Sequence, residues 1–415
     1  LLLFLFSLLS FAQNQQLGSD FIQALLVDKK YDAAYSYFDD VVKAQLPLSV
    51  LEQTSGQIEA QLGKFKSILE INEADGVYYY YSEFEKMKLD IKIVPEKTTG
   101  KIAGFFFTPH KEFGKVDTLG KVYNITSDKT ELKGTLLIPA NNNLKKLVIL
   151  LHGSGPQDRD ETVFENKPFK NIAEALYDKG IASYRFDKRT FSNPESFTDK
   201  STIDDEVVVD PLNIIKHFKT NPEFKEYEIT LIGHSLSAYL LPRIANKTTQ
   251  ISKIVLLAGN ARPLDQLITE QYEYLNSLNP TEEGKNEIVK MNEKVAFLNS
   301  KQFTPETPKD KLPLDLPAPY WKSLLDYKPL TEVQKVKTPI LVLQGERDYQ
   351  VPLTDFNLWK KALSKNQKAK FISYPTLNHL FMSGTGKPSP EEYYVKSKVD
   401  PKVIDDIFSF IVAKL

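Results

Sequence analysis

Residues 229–241 read ITLIGHSLSAYLL, and this is the most informative stretch of the sequence. An apolar run ends at Gly233 and a second one starts after Ser237, so the pattern predicts a strand that turns sharply into a helix. Ser235 stands at the apex of the turn. Such a turn pushes a serine hydroxyl out of the sheet and points the first N–H groups of the helix at whatever the hydroxyl attacks. The stretch therefore indicates a nucleophilic serine, although Ser237 occupies the usual place of a second glycine.

A nucleophilic serine needs a histidine base and a carboxylate to orient that base. In sheet enzymes with this turn, the acid and then the histidine follow the serine along the chain. The chain has 5 histidines, and His379 is the only one beyond Ser235. Asp348 follows the predicted strand 339–343 and is the expected acid, with Glu346 as the reserve. The predicted catalytic residues are thus Ser235, Asp348 and His379.

The tetrahedral intermediate of acyl transfer carries an oxyanion that needs two N–H donors. One donor is expected to be the backbone N–H of Leu236, the residue after the nucleophile. The other should come from the glycine-rich turn that follows the predicted strand 147–151. Ser154 or Gly155 would supply it, and the sequence does not choose between them. No metal or organic cofactor is expected, because no H-E-x-x-H pattern occurs and the histidines are scattered.

A family resemblance follows from two further stretches. Residues 152–161 read HGSGPQDRDE and residues 184–189 read YRFDKR. Both are similar to segments of the bacterial EstD-type serine carboxylesterases, which are α/β-hydrolases. The resemblance implies ester cleavage with Ser235 as nucleophile, Asp348 as acid and His379 as base.

The chain departs from the family pattern at two places. Ser237 adds a side chain where the helix should pack closely on the sheet. Residues 190–192, Thr-Phe-Ser, stand where those enzymes continue with glycines, so the loop near the pocket is expected to be reshaped. Three neighbouring groups are given structural roles: Asp187 pairs with Lys188 or Arg189, His152 braces the glycine-rich loop, and His234 packs inside the turn.

The rest of the second half predicts an α/β fold with a mostly parallel sheet and helices on both faces. Its strands are expected at 147–151, 182–186, 229–232, 254–257, 339–343 and 369–373. The catalytic domain is placed at 119–415. Residues 262–337 are too long for a simple crossover and are interpreted as a lid whose aromatic side chains either line the pocket or only pack the lid onto the body.

The first part of the chain predicts a separate α+β domain at 17–109, followed by a linker at 110–118. Amphipathic helices are expected at Asp20–Lys29, Tyr31–Lys43 and Val50–Leu62, ahead of strands with period-two alternation. This order resembles small domains like nuclear transport factor two. Its role is left open between binding, docking and support of the lid.

Composition and charge exclude several classes of protein. The chain of 415 residues has a net charge of −1, which gives no electrostatic case for binding nucleic acid or an anionic membrane surface. It has no cysteine, which excludes disulfides, a thiol nucleophile and thiolate zinc sites. Residues 1–12 are apolar and end in Ser10-Phe11-Ala12, so a partial signal peptide and a secreted or periplasmic location are expected, without stable membrane insertion after cleavage.

The sequence therefore predicts a secreted serine hydrolase that cleaves small-molecule carboxylic esters through an acyl-enzyme. One alternative is another acyl-transfer enzyme on the same triad, such as a peptidase, thioesterase or acyltransferase. A second alternative is a binding protein that keeps the fold but has weakened catalysis through Ser237. The natural ester and the oligomeric state stay open.

Overall fold

The computed structural model describes residues 14–74, 76–96, 99–108, 110 and 119–414. The predicted signal peptide at 1–12 lies outside the described residues, as does the predicted linker at 110–118 apart from His110. Among the helices of the described part, none combines the length and the apolar character that crossing a bilayer requires.

The chain divides into two compact units that are not contiguous in sequence. The first unit takes the chain up to Val116 together with two short later segments, Val163–Asn166 and Tyr393–Lys396. The second unit holds Asp117–Thr162, Lys167–Glu392 and Ser397–Leu415.

The strands, in chain order, are β1 Phe65–Ala74, β2 Val77–Phe84, β3 Lys88–Pro95, β4 Ile102–Thr108, β5 Lys121–Val122, β6 Ile125–Ser127, β7 Thr130–Leu132, β8 Gly134–Leu137, β9 Lys146–Leu151, β10 Ala182–Phe186, β11 Glu228–His234, β12 Lys253–Leu257, β13 Ile340–Gly345 and β14 Ala369–Tyr374.

The α-helices are α1 Tyr31–Ser36, α2 Asp40–Gln45, α3 Leu48–Leu62, α4 Pro168–Asp178, α5 Arg189–Ser192, α6 Val209–Thr220, α7 Leu236–Asn246, α8 Leu264–Leu278, α9 Glu282–Leu298, α10 Ala318–Asp326, α11 Pro329–Glu332, α12 Leu353–Ala362 and α13 Pro401–Val412. Residues 14–22 are also helical and continue into a π-helical turn at Gln23–Val27. A second π-helical turn covers Asp204–Val208, and 3-10 turns cover Pro194–Ser196, Pro222–Phe224, Lys309–Lys311, Pro313–Asp315, Val333–Lys335 and Pro390–Tyr394.

The second unit is built on an eight-stranded sheet in the order β14-β13-β12-β11-β9-β10-β8-β5. All neighbours from β14 to β10 pair in parallel, and only β8 and β5 join antiparallel. The predicted mostly parallel sheet is therefore confirmed. Every residue of β10, β12 and β13 is buried, as expected for apolar strands covered by helices on both faces.

The junction of β11 and α7 depends on a close approach of helix and strand. A methyl group on Gly233 would lie 2.9 Å from the backbone nitrogen of Ala238 and 3.0 Å from Cδ1 of Leu241. Only glycine lets α7 pack this tightly on the end of its own strand. The predicted strand-to-helix turn is thus observed, with its apex at Ser235.

The first unit is an antiparallel sheet in the order β1-β2-β3-β4 with short helices, which confirms the small α+β fold. The predicted helix Tyr31–Lys43 is wrong as a single element, because the chain breaks between α1 and α2. There Tyr37 and Asp39 form backbone hydrogen bonds with Ile102 of β4, and the Asp39 side chain caps α2. Val41 lies on the apolar face that a single Tyr31–Lys43 helix would bury, but in α2 it is 65% exposed.

The inserted region 262–337 is mainly helical. Helices α8 and α9 come first, and short 3-10 turns lead to α10 and α11. Buried apolar side chains of these helices pack with Leu236, Tyr239 and Leu240 of α7 in one cluster. The insertion therefore covers the helix that carries the apex serine.

Candidate active site

Ser235 occupies a strained position at the turn between β11 and α7. Its backbone has φ 51° and ψ −113°, which is unfavourable for a residue with a side chain. The turn is held from both sides, since the Ser235 N–H donates to the Leu257 carbonyl at 2.9 Å and the Ser235 carbonyl accepts from the Tyr239 N–H at 3.0 Å. Such strain at a serine between strand and helix is the geometry of an exposed nucleophile.

The predicted acid and base meet beside the carboxyl ends of the strands. His379 Nδ1 lies 2.7 Å from Oδ2 of Asp348, and both side chains are buried. The carboxylate is fixed on its other side, because Asp348 Oδ1 accepts the N–H groups of Gln350 and Val351 at 2.8 and 2.9 Å. Gln344 Nε2 also donates to Oδ2 at 2.9 Å. With its Nδ1 proton held by Asp348, His379 has Nε2 free to accept a proton.

The predicted nucleophile is linked to this pair through the residue that precedes it. Within the described part of the chain, no hydrogen bond joins Ser235 Oγ to His379. The neighbouring residue does contact the base: the rings of His234 and His379 lie 4.6 Å apart, and His234 Nε2 donates to the His379 carbonyl at 2.9 Å. In ligand-free enzymes the serine–histidine hydrogen bond is often long and shortens only when substrate binds.

A buried carboxylate links the turn to the glycine-rich loop. Glu161 Oε1 lies 3.1 Å from His234 Nδ1 and accepts the N–H of Gly153 at 2.6 Å. Burial lowers the pKa of His234, but the Glu161 carboxylate outweighs it, so the net pKa is raised. For the Glu161 carboxyl, burial alone would raise the pKa. The facing His234 lowers the pKa by more, so the net pKa of Glu161 is below its usual range. The Glu161 carboxylate thus faces the His234 ring inside the protein, next to the predicted base His379.

The glycine-rich loop lies against the nucleophile. A methyl group on Gly153 would stand 3.3 Å from Ser235 Cβ, so a side chain there would crowd the serine. Lys188 fixes the loop from behind, since its Nζ donates to the carbonyls of Gly153 and Gly155 at 2.7 and 2.9 Å. Ser154 and Gly155, the predicted oxyanion donors, face the same cavity as Ser235.

The structure accounts for Ser237. Its hydroxyl donates to the carbonyl of His152, and the side chain is buried. The Ser237 side chain therefore does not keep α7 away from the sheet. Its hydroxyl instead joins the first turn of α7 to the residue that follows β9. His152 braces the loop as predicted, packed against Phe169 and Phe186. Burial lowers the pKa of His152 to about 4, so the ring is neutral at neutral pH.

A cavity of about 520 Å³ opens above Ser235. Its lining is mainly apolar, and the lid supplies much of it: Leu264, Leu267, Ile268, Gln271, Leu314, Leu316 and Tyr320. Trp321 instead is buried and donates its Nε1–H to the Pro313 carbonyl at 3.0 Å. Tyr320 therefore lines the pocket, whereas Trp321 only packs the lid onto the body. A larger depression of about 820 Å³ near Lys361 contains none of the predicted catalytic residues.

The reshaped loop after Arg189 is also part of this cavity. Residues Arg189–Ser192 form the short helix α5 in place of a glycine-rich turn, and Thr190 lines the pocket. The side chain of Phe191 is 51% exposed. The departure from the family pattern therefore falls on the wall of the cavity and not on the predicted catalytic residues.

The expected pairing of Asp187 was wrong. Asp187 accepts from Arg159 Nε and Nη2 at 2.9 and 2.8 Å, whereas Lys188 pairs with Glu206 and Arg189 with Asp210. Neighbouring side chains on this segment point in different directions, so the nearest residues in sequence were the wrong partners.

Four residues of the site were not singled out from the sequence: Glu161, Lys188, Glu206 and Tyr320. Glu161 and Lys188 lie in the two stretches that carry the family resemblance, so the signal was present there without an assigned role. Glu206 lies in a helical pattern and Tyr320 lies in the lid, and nothing in their sequence context indicates that they meet.

The reserve acid Glu346 is exposed and accepts from Ser373 at 2.7 Å, away from His379. Within the described residues, no group of three or more His, Asp or Glu side chains is placed to hold a metal ion.

Comparison with known proteins shows the family to which the chain belongs. Residues 148–393 match the model of the alpha/beta hydrolase family, and residues 19–105 match a family described as a protein of unknown function, DUF3887. Esterase EstD of Thermotoga maritima is 33% identical over 398 residues, which cover 93% of both chains. The acylamino-acid-releasing enzyme of Rattus norvegicus is 33% identical over only 60 residues, 14% of this chain and 8% of that enzyme.

Solved structures with a similar chain path include two esterases. One from Pyrococcus furiosus covers 70% of this chain and 90% of its own, with 16% identity and a TM-score of 0.47. Est1E from Butyrivibrio proteoclasticus covers 71% of this chain and 99% of its own, with 17% identity and a TM-score of 0.45. The family model and the full-length similarity to EstD confirm the resemblance drawn from the sequence, and the chain belongs to the alpha/beta hydrolase family.

Proposed function

We propose that this protein is a carboxylic ester hydrolase that works through Ser235, His379 and Asp348 and an acyl-enzyme intermediate. The observation that carries the proposal is the 2.7 Å contact between His379 and Asp348, next to a serine held in a strained turn. Serine hydroxyls are poor nucleophiles at neutral pH, and an imidazole oriented by a carboxylate is what activates them.

The reaction would run in two halves. His379 Nε2 takes the proton of Ser235 as Oγ attacks the ester carbonyl, and the N–H of Leu236 with one N–H of the 153–155 loop stabilises the oxyanion. His379 then returns the proton to the departing alcohol, which leaves an acyl group on Ser235. Water, deprotonated by the same imidazole, releases the acid and restores the serine. Asp348 keeps the imidazole in the correct tautomer and stabilises its charged form throughout.

Esters are favoured over the other acyl-transfer substrates by the full-length relative. EstD, named an esterase, aligns with 93% of this chain, whereas the peptide-cleaving relative aligns with 14%. The cavity adds support, because its lining of leucines, prolines and a phenylalanine suits an uncharged acyl group. The reading as a weakened binding protein is disfavoured, since Ser237 fits its site with a hydrogen bond to the His152 carbonyl.

The test is hydrolysis of p-nitrophenyl acetate and butyrate against aminoacyl p-nitroanilides. We expect turnover of the esters, no turnover of the anilides, and loss of ester turnover in Ser235→Ala with an unchanged circular dichroism spectrum. Preference for the anilides would assign a peptidase. Full ester turnover by Ser235→Ala would refute the assignment of the nucleophile.

We further propose that the protein is exported, with cleavage after Ala12. The apolar residues 1–12 with Ser10 and Ala12 at the −3 and −1 positions support this. Amino-terminal sequencing of the protein recovered from periplasm or medium should begin at Gln13. Recovery in the cytosol with residues 1–12 intact would contradict export.

A further inference from the structure

Lys188 occupies a position that the triad does not explain. Its side chain is only 4% exposed, and its ammonium group has three partners: the carbonyls of Gly153 and Gly155 and the carboxylate of Glu206. Burying an ammonium group is costly unless it is paired and fully hydrogen-bonded. The Lys188 ammonium group is thus buried against the loop that is expected to bind the oxyanion, although burying this charge costs free energy.

The direction of these bonds selects one amide of the loop. Peptide groups are planar and trans, so a carbonyl and the N–H of the next residue point in opposite directions. The Gly153 carbonyl is held on Lys188, which turns the N–H of Ser154 to the side away from the lysine. The Gly153 N–H is already used by Glu161, and Pro156 has no N–H to offer. Ser154 is therefore the one donor of this loop whose peptide plane is fixed by a buried charge.

The lid reaches the same lysine through Glu206. Tyr320 of α10 donates its hydroxyl to Glu206 Oε2 at 2.6 Å, and both side chains line the cavity above Ser235. Tyr320 is buried, and burial together with the adjacent carboxylate raises its pKa well above the usual range, so the hydroxyl stays a donor. A continuous chain of hydrogen bonds thus runs from the lid to the oxyanion loop.

We propose that Lys188 is a positioning residue that orients the Ser154 N–H as the second oxyanion donor. Through Tyr320 and Glu206, this orientation also depends on the lid helix α10 lying in its observed place. The proposal rests on the serine esterase function proposed above. It differs from a purely structural role in its kinetic signature: the loss of an oxyanion donor lowers kcat, whereas substrate binding in the apolar cavity is retained.

The experiment compares two buried lysines that both cap backbone carbonyls. Lys253 donates to the carbonyls of Phe410, Ile411 and Ala413 at 2.6–2.8 Å, at the end of α13, and does not line the cavity. We expect Lys188→Met to lower kcat for p-nitrophenyl butyrate by about 100-fold with KM changed by less than about threefold. Lys253→Met should lower the melting temperature to a similar extent and leave kcat unchanged.

A rescue keeps the test decisive if Lys188→Met folds poorly. The chain has no cysteine, so Lys188→Cys carries a single thiol. Alkylation in denaturant with 2-bromoethylamine, followed by refolding, builds a side chain that ends in an ammonium group; iodoacetamide builds one of the same length that ends in a neutral amide. With wild-type protein refolded in parallel, the aminoethyl form should recover at least tenfold more kcat than the neutral form. Equal kcat in the two forms would overturn the proposal.

The donor itself is tested by the amide signal of Ser154. In protein labelled with 15N-serine, this signal is the one that disappears in Ser154→Ala. It should move downfield when a phosphonate is attached to Ser235, and it should move less in Lys188→Met. An unmoved Ser154 signal would overturn the assignment of the donor, as would wild-type kcat in Lys188→Met. Failure of wild-type protein to cleave any ester or to react at Ser235 would instead refute the proposed function.

Discussion

His379 Nδ1 lies 2.7 Å from Asp348 Oδ2 inside the protein, on two loops that follow neighbouring parallel strands, β13 and β14. The carboxylate is held by backbone N–H groups and by Gln344, so it is oriented before any substrate arrives. The backbone of His379 is held in turn, because its carbonyl accepts from His234 Nε2. This preorganisation is what a general base requires.

Replacement of Asp348 by asparagine should lower kcat by roughly 10³- to 10⁴-fold, since the amide favours the wrong tautomer of His379. Steady-state kinetics on p-nitrophenyl butyrate measures the effect. The matched control is Glu346→Gln, which alters the exposed carboxylate two residues earlier and should keep full activity. A loss confined to Glu346→Gln would move the acid to that residue.

Removal of the Ser237 hydroxyl should destabilise the protein by about 1–3 kcal/mol, because the buried His152 carbonyl loses its donor. Urea denaturation of Ser237→Ala measures this change in the free energy of unfolding. The control is Ser183→Ala on β10, whose buried hydroxyl has no hydrogen-bond partner within the described part of the chain, and which should be nearly neutral. Equal midpoints for both variants would argue against an anchoring role for Ser237.

Stability should fall as the pH drops below about 6.5, in part through His152. Burial lowers the pKa of His152 to about 4, while in the unfolded chain it returns to about 6.5. Between these values the unfolded state binds the extra proton, so acid favours unfolding, by an amount on the order of 3 kcal/mol at full effect. His152→Gln should flatten the dependence of the unfolding free energy on pH between 4 and 6.5. An unchanged slope would show that other groups dominate it.

The lid should set the length of acyl chain that the enzyme accepts. Leu267 of α8 lines the cavity, so Leu267→Trp should lower kcat/KM for hexanoate esters by about tenfold relative to acetate. Leu275 lies on the same helix, is 39% exposed and does not line the cavity, so Leu275→Trp should leave the ratio unchanged. If the hexanoate-to-acetate ratio of kcat/KM were the same in wild type, Leu267→Trp and Leu275→Trp, the acyl group would not bind beside Leu267.

Much of the fold could be predicted because it depends on local patterns. Strands β9 to β13 are almost wholly buried, and each of the strands β9 to β14 was located within two residues of its observed ends. The candidate acid and base could be chosen because chain order and the positions of strand ends restrict the candidates.

What could not be predicted depends on contacts between distant residues. The break between α1 and α2 results from hydrogen bonds to Ile102, about 65 residues away along the chain, which a helical pattern does not report. In the chain from Tyr320 to Glu206 to Lys188, the first hydrogen bond joins residues 114 apart and the second joins residues 18 apart. Asp187 was assigned the wrong partner for the same reason, since its partner Arg159 lies 28 residues away along the chain.

Covalent labelling with a fluorophosphonate, followed by intact mass measurement and peptide mapping, tests whether Ser235 is the activated nucleophile. We expect one adduct per chain, located on Ser235, formed rapidly in folded wild-type protein, much more slowly in Asp348→Asn and not at all in Ser235→Ala. A folded, ester-cleaving protein in which Ser235 stays unmodified, or in which another residue carries the adduct, would contradict this expectation.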